Sequence, residues 1–287
     1  MVSARVGVIG VGRMGLPICA RLAGAGFAVT ATDLRPEREA DVRAAGAHWA
    51  PDAAAALHAA DVVLTVLPGS AEIQEVMATA MAHLRPGMAW IDMTSADPRA
   101  ARPLVLEAAA RGVEALDAAL GGGVPAAQSG TLQLFVGGDA AAVERNGPLL
   151  ESLGRVEHVG GPGAGRLVKL IVNLLWFGQA VAVGEALLVA RRSGLDVDVL
   201  AEVLGRSAAG SDFIRGDLPA ALAGDARDSF GLDRCCDQLD AVIGVARELD
   251  VPFEVSSAVG SAYRAALAHY GPVDGELLPL ARLLGSR

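Results

Sequence analysis

Of 24 lysines and arginines in the 287-residue chain, a single one, Lys169, is lysine. A guanidinium keeps its charge under ordinary conditions, whereas an amine can be tuned to give and take a proton. Asn173 follows four residues later, so on a helix the two side chains point the same way. Their neighbours Leu167, Val168, Leu170, Ile171, Val172 and Leu174 are all apolar. An amine and an amide in such surroundings are costly unless they line a polar cavity or find partners. In a dry cleft the amine pKa falls, which suits proton transfer near neutral pH. The plain alternative is a lysine that snorkels to solvent at a domain junction; its standing as the only lysine favours chemistry.

A second group of residues suits a nucleotide. Gly10, Gly12 and Gly15, with Val11, Arg13 and Met14 between them, stand between an expected strand and an expected helix. In that setting the first glycine permits a tight turn, the second lets backbone approach a pyrophosphate, and the third lets helix pack on strand. The helix N-terminus attracts the anion. Asp33 closes the next strand, where a carboxylate accepts hydrogen bonds from ribose hydroxyls and repels a 2′-phosphate. That favours NAD; Arg13 and Arg35 leave NADP open.

Two further stretches bring polar groups into apolar surroundings. Asp92-Met93-Thr94-Ser95 ends a strand at the carboxyl edge, where ligands bind in open α/β sheets. Gly121-Gly122-Gly123 and Gly130-Thr131-Leu132 read as flexible loops whose amides could hold an oxyanion or a carboxylate. Taken singly, both stretches read more simply as loop chemistry, with Thr94 as a helix cap.

The elements that must position these residues alternate from residue 5 to about 160. Strands are expected at Arg5–Ile9, Ala28–Asp33, Asp61–Leu67, Met88–Met93, Val113–Ala118, Gln133–Val136 and Val156–Val159. Helices are expected at Met14–Ala25, Pro36–Ala45, Ala71–His83 and Pro98–Arg111. Such alternation gives a parallel, doubly wound sheet. After the glycine cluster Gly160–Gly165 no convincing strand remains. A long helix runs from about Arg166 to Ser193, then shorter ones near Val197–Leu204, Arg234–Leu249 and Ser256–His269. The expectation is therefore an α/β Rossmann domain over residues 1–162 and an all-α domain over 163–287.

Composition narrows the class. Hydrophobic residues make up 52% and charged residues 20%, with a mean hydropathy of +0.40, which excludes a disordered chain. A formal net charge of −9 argues against a nucleic-acid partner. Cys19, Cys235 and Cys236 make no disulfide framework and suggest a reducing compartment. Leu170–Ala190 is about as long as a membrane span, but Asn173, Gln179 and Glu185 interrupt it. A helix buried on nearly all sides fits better. The protein is expected to be cytoplasmic, with no membrane partner and no metal site.

Four segments in order resemble the β-hydroxyacid dehydrogenase family, which includes 3-hydroxyisobutyrate dehydrogenase. They are Val8–Pro17, Asp92–Ser95, Gly122–Leu132 and Gly161–Asn173, the last matching that family's catalytic segment. The resemblance implies a nicotinamide cofactor and a helical domain like that of 6-phosphogluconate dehydrogenase, with Lys169 as acid/base and Asn173 as an orienting residue. It places the cofactor on Gly10, Gly12, Arg13, Met14, Gly15, Asp33, Leu67, Pro68 and Thr94. It places a small-molecule substrate on Thr94, Ser95, Gly121, Gly122 and Gly123, and implies a homodimer or homotetramer built through the helical domain.

Two departures bear on the substrate. Where the family usually has Ser-Gly-Gly to grip a carboxylate, this chain has Gly121-Gly122-Gly123. Aligning Phe230 and Leu239 with the family's Phe and Lys-Asp-Leu puts Asp237 and Gln238 in place of Lys-Asp, with Asp237 where an active-site lysine stands. Both changes push against a plain short 3-hydroxy acid. An imine reductase-like enzyme acting on C=N is the alternative, as Asp237 would attract an iminium, although those enzymes commonly lack the lysine. A non-catalytic nucleotide-binding protein is the third.

Overall fold

Runs with no polar alternation, such as Val62–Thr65 and Ala89–Asp92, become strands buried on both faces, as parallel sheets require. The computed structural model describes residues 4–227 and 230–285. They divide into one unit up to Lys169 and a second from Leu170.

The first unit contains β1 (Arg5–Ile9), α1 (Gly15–Gly24), β2 (Ala28–Thr32), α2 (Glu39–Ala44), β3 (His48–Trp49), α3 (Ala53–Leu57), β4 (Val62–Thr65) and α4 (Ser70–Ala80). It continues with β5 (Ala89–Asp92), α5 (Pro98–Ala110), β6 (Glu114–Gly121), α6 (Gly123–Ser129), β7 (Leu132–Gly137), α7 (Ala140–Arg145), α8 (Gly147–Glu151) and β8 (Gly154–Gly160). The eight strands form one sheet in the order β3-β2-β1-β4-β5-β6-β7-β8. Every neighbouring pair is parallel except β6 and β7. The order reverses between β1 and β4, which opens the ligand crevice of doubly wound sheets outside the carboxyl ends there.

Helices cover both faces. On one, Ile18 and Leu22 of α1 pack on Val8, Leu64 and Ile91. On the other, Ile73 and Met77 of α4 pack on Val63 and Trp90. Aspartates start several helices by accepting a first-turn N–H: Asp52 takes that of Ala55, Asp97 that of Arg99 and Asp139 that of Ala142. The strand positions match expectation within a few residues, and the mostly parallel doubly wound sheet is as expected. The glycine stretch is different. Gly121 ends β6, Gly122 is left-handed with φ 100°, and Gly123 opens α6, so the expected flexible loop is a strand running directly into a helix.

The 29-residue α9 (Ala164–Arg192) begins in the first unit and continues into the second. The second unit adds α10 (Val197–Arg206), a π-helical turn at Phe213–Asp217, α11 (Leu218–Leu222), α12 (Leu232–Glu248), α13 (Glu254–Tyr270) and α14 (Leu278–Leu284). Leu170, Leu174 and Phe177 of α9 join Leu239, Val242 and Tyr263 in one apolar cluster. Ala180 and Leu187 join Phe213, Leu218 and Leu280 in another. Trp176 packs against both, and its Nε1 donates to Asp217 Oδ2 at 2.7 Å. The expectation that this helix is buried on nearly all sides is not met within one chain. Ile171, Val172, Leu175 and Val189 are 42–67% exposed, because the other described elements of the second unit cover only part of this apolar helix.

Candidate active site

The turn from β1 into α1 owes its shape to missing side chains. A Cβ on Gly15 would collide with the carbonyl oxygen of Gly10, so only glycine lets α1 start against the strand. At Gly12 the nearest atom to an added Cβ is a guanidinium nitrogen of Arg35, 3.9 Å away, so that face of the turn is open. Asp33, directly after β2, ties itself to this turn: Val11 N donates to its Oδ2 at 2.8 Å. Arg35 N and Nε donate to its Oδ1 at 3.1 and 2.9 Å. Burial pushes the Asp33 carboxyl up, but the hydrogen bonds from Arg35 and Val11 outweigh it and hold the group below the usual carboxylate range. An open glycine face at a helix N-terminus beside an ionised carboxylate fits a dinucleotide's pyrophosphate and ribose. Arg13 and Met14 complete the turn, Arg13 exposed and Met14 half-buried.

Across the reversal point, Leu67 lies beside Gly10, where a Cβ would sit 3.0 Å from its Cδ2. Leu67 N donates to Thr94 Oγ1 at 3.2 Å, and Thr94 N donates to Asp92 Oδ1 at 3.1 Å. Thr65 Oγ1 donates to the same oxygen at 2.6 Å and accepts from Trp90 Nε1 at 3.0 Å. This chain binds the carboxyl ends of β4 and β5 together. Thr94 therefore caps no helix: Asp97 does that. Pro68 follows Leu67 at the crevice, and Ser95 is half-buried beyond Thr94.

The start of α9 is fixed by a group that spacing alone does not reveal. Asp92 and Asp117 are register partners on adjacent parallel strands, each 1% exposed. Asp117 accepts Gly163 N at 2.6 Å and Arg166 N at 2.8 Å, capping the first turn of α9 from a distant strand. Arg166, 2% exposed, donates to Asp92 Oδ2 at 2.6 Å and pairs with Asp117 Oδ1 at 3.7 Å. Its Nε is buried without a hydrogen-bond partner. Gly165 makes room, since a Cβ there would collide with the carbonyl oxygen of Phe135 on β7. Lys169, half-buried, follows Arg166 by three residues on this anchored helix.

Thus the first unit gathers Gly10, Gly12, Gly15, Asp33, Leu67 and Thr94 at the carboxyl edge, with the root of the Lys169 helix on the same edge. Gly121–Gly123 lie further along, where β6 runs past Asp117 into α6. Within the second unit Asn173 Nδ2 donates to Gln238 Oε1 at 2.5 Å. Asp237 is on the exposed side of α12, with Arg234 NH1 3.6 Å from its Oδ2. The partner of Asn173 is therefore the buried Gln238, next to the residue singled out from sequence. Arg166 and Asp117 were missed, and Gln238, though placed beside Asp237, was given no role. The first two had a legible signal: a charge inside an apolar strand, and an arginine inside the glycine-rich segment leading to Lys169.

Comparison with known proteins finds matches across both units. Residues 5–161 match the NAD binding domain of 6-phosphogluconate dehydrogenase. Residues 163–280 match the NAD-binding domain of NADP-dependent 3-hydroxyisobutyrate dehydrogenase. The chain is 36% identical over 211 residues to the NAD-dependent L-serine dehydrogenase of Pseudomonas aeruginosa, covering 72% of this chain and 71% of that one. It is 30% identical over 260 residues to 2-(hydroxymethyl)glutarate dehydrogenase of Eubacterium barkeri, covering 89% and 86%. A solved 3-hydroxyisobutyrate dehydrogenase of Mycobacterium tuberculosis, with L-serine, is similar at a TM-score of 0.91 and 26% identity, covering 99% of this chain and 100% of that one.

Proposed function

The chain belongs to the 3-hydroxyisobutyrate dehydrogenase-like family of β-hydroxyacid dehydrogenases, NAD(P)-dependent enzymes acting on CH–OH groups, and from that premise we propose that Lys169 is its catalytic acid and base. The observation that carries the reading is the anchoring of α9: Asp117 and Arg166 fix its first turn to the carboxyl edge of the nucleotide-binding sheet, with Lys169 one turn beyond.

The nicotinamide, when bound, supplies or accepts the hydride. Gly10, Gly12 and Gly15 with Asp33 would hold the pyrophosphate and adenosine ribose, and Leu67, Pro68 and Thr94 would flank the cofactor beyond them. During oxidation the Lys169 amine takes the proton of the substrate hydroxyl; during reduction its ammonium returns that proton to the nascent alkoxide. The Asn173 amide is oriented by Gln238, which leaves its oxygen and second N–H for the hydroxyl and the amine. NAD is the preferred cofactor in this reading, because Asp33 stays ionised against a 2′-phosphate.

The substrate in this reading is a small β-hydroxy compound other than a plain short 3-hydroxy acid. Gly121 lacks the hydroxyl that would grip a carboxylate, and Asp237 offers an anion, with Arg234 beside it. Such a pair suits a substrate carrying an ammonium as well as a carboxylate, as in the serine named for the Pseudomonas relative. The test is Lys169→Met, assayed with both cofactors on serine, 3-hydroxyisobutyrate and a panel of alcohols. The expected result is nearly unchanged NADH affinity with kcat lower by about 10²–10⁴. Lys169→Arg is expected to fail equally, because guanidinium does not release its proton; activity retained there overturns the acid/base role.

A further inference from the structure

Two buried carboxylates on neighbouring strands are an expensive way to hold a helix. Asp92 and Asp117 are register partners, so their backbones are about 5 Å apart. Ionised together they repel unless a cation sits with them. Arg166 is that cation, and it is held at both ends: its backbone N–H by Asp117, its guanidinium by Asp92 at 2.6 Å. A helix start needs only a capping side chain, and apolar residues can often replace a buried ion pair at no cost to stability. What such a group supplies better than an apolar contact is registry, because its charged hydrogen bonds tolerate one geometry.

We propose that Arg166 is a positioning residue for Lys169, fixing the rotation and height of the first turns of α9 so that the amine meets the reacting hydroxyl. Lys169 is three residues on, roughly 300° around and 4.5 Å along the axis. Any slip of Arg166 is therefore carried directly to the amine. A displacement of about 1 Å at a reacting group can cost on the order of 10²-fold in rate. The inference rests on the acid/base reading of Lys169.

The test uses the full-length enzyme with Arg166→Lys, which keeps the charge and loses the two-pronged grip. Asp92→Asn is the second variant, since it retains an acceptor for Thr65 and Thr94 while removing the charge facing Arg166. In each, NADH affinity and KM for L-serine are expected within about threefold of wild type, with kcat lower by about 10- to 100-fold. The deciding comparison repeats Arg166→Lys in a Lys169→Met background. With no amine left to position, the second change is expected to alter kcat by less than about twofold. An equal loss of kcat in both backgrounds, unchanged kcat in the single variants, or a loss confined to NADH affinity overturns the inference while leaving Lys169 as acid/base. Wild-type activity in Lys169→Met alone would instead overturn the acid/base reading, and this inference with it.

Discussion

Replacing Asp33 with alanine is expected to close the gap between NADH and NADPH from both sides. The carboxylate receives hydrogen bonds from Val11 N at 2.8 Å and Arg35 Nε at 2.9 Å, so it is oriented before any ribose arrives. A hydrogen bond to a charged group contributes about 1.5–3 kcal/mol. Its loss should weaken NADH binding by about 10- to 150-fold. The same change releases Arg35, whose guanidinium lies beside the open face of Gly12. A freed guanidinium can pair with a 2′-phosphate, so NADPH should bind more tightly, and this gain should vanish in Asp33→Ala/Arg35→Ala. Fluorescence titration with each reduced cofactor measures both effects without knowledge of the substrate. Because the folded-state pKa of Asp33 is lowered, its charge persists above the usual carboxylate value of about 4 and is lost only as pH falls through the depressed value. Wild-type affinity for NADH, which carries no 2′-phosphate, should accordingly stay flat from about pH 8 to pH 5. The reasoning is refuted if wild type binds NADPH tenfold tighter, about 1.4 kcal/mol, or if Asp33→Ala leaves both affinities unchanged.

Two other outcomes are expected. Wild type should be a homodimer or homotetramer by light scattering at micromolar concentration, and Leu175→Glu, placing a charge at a 62% exposed position on α9, should shift it toward monomer; a monomeric wild type ends the assembly proposal. Gly121→Ser combined with Asp237→Lys should raise kcat/KM on 3-hydroxyisobutyrate and lower it on serine, the new Cβ at 121 coming 3.3 Å from that of Gln133, a tight contact that must yield slightly; wild-type turnover of 3-hydroxyisobutyrate at about 10⁴ M⁻¹s⁻¹ or above would contradict the substrate reading.

The parallel sheet was legible because β4 and β5 are short apolar runs between amphipathic stretches, and because the glycine turn and Asp33 are local patterns. Several other short elements were not. β3 has two residues, and α3, α7 and α8 have five or six, too few for a period to show. α6 was hidden by its glycines, which look like a loop until the left-handed Gly122 is seen to start a helix. Lys169 and Asn173 stood out by rarity and spacing. Asp92, Asp117 and Arg166 each carried a local signal, but their partnership did not, because they are far apart in sequence, as are Asn173 and Gln238. Those partnerships exist only after the strands have paired and the helices have packed. The exposure of Ile171, Val172 and Leu175 was misjudged for a related reason: an apolar helix signals burial without saying in which molecule.

The continuity of α9 across Lys169 and Leu170 has a consequence for insertions and deletions. Loops absorb insertions and deletions, but here the two units are joined within an unbroken helix. One inserted residue between Arg166 and Asn173 would turn everything downstream by about 100° and shift it by about 1.5 Å. The spacing between the Arg166 anchor and the Asn173 amide is set by helix geometry rather than by a loop. A one-residue insertion there is thus a larger perturbation of the helix than any single substitution at the exposed Ile171 or Val172.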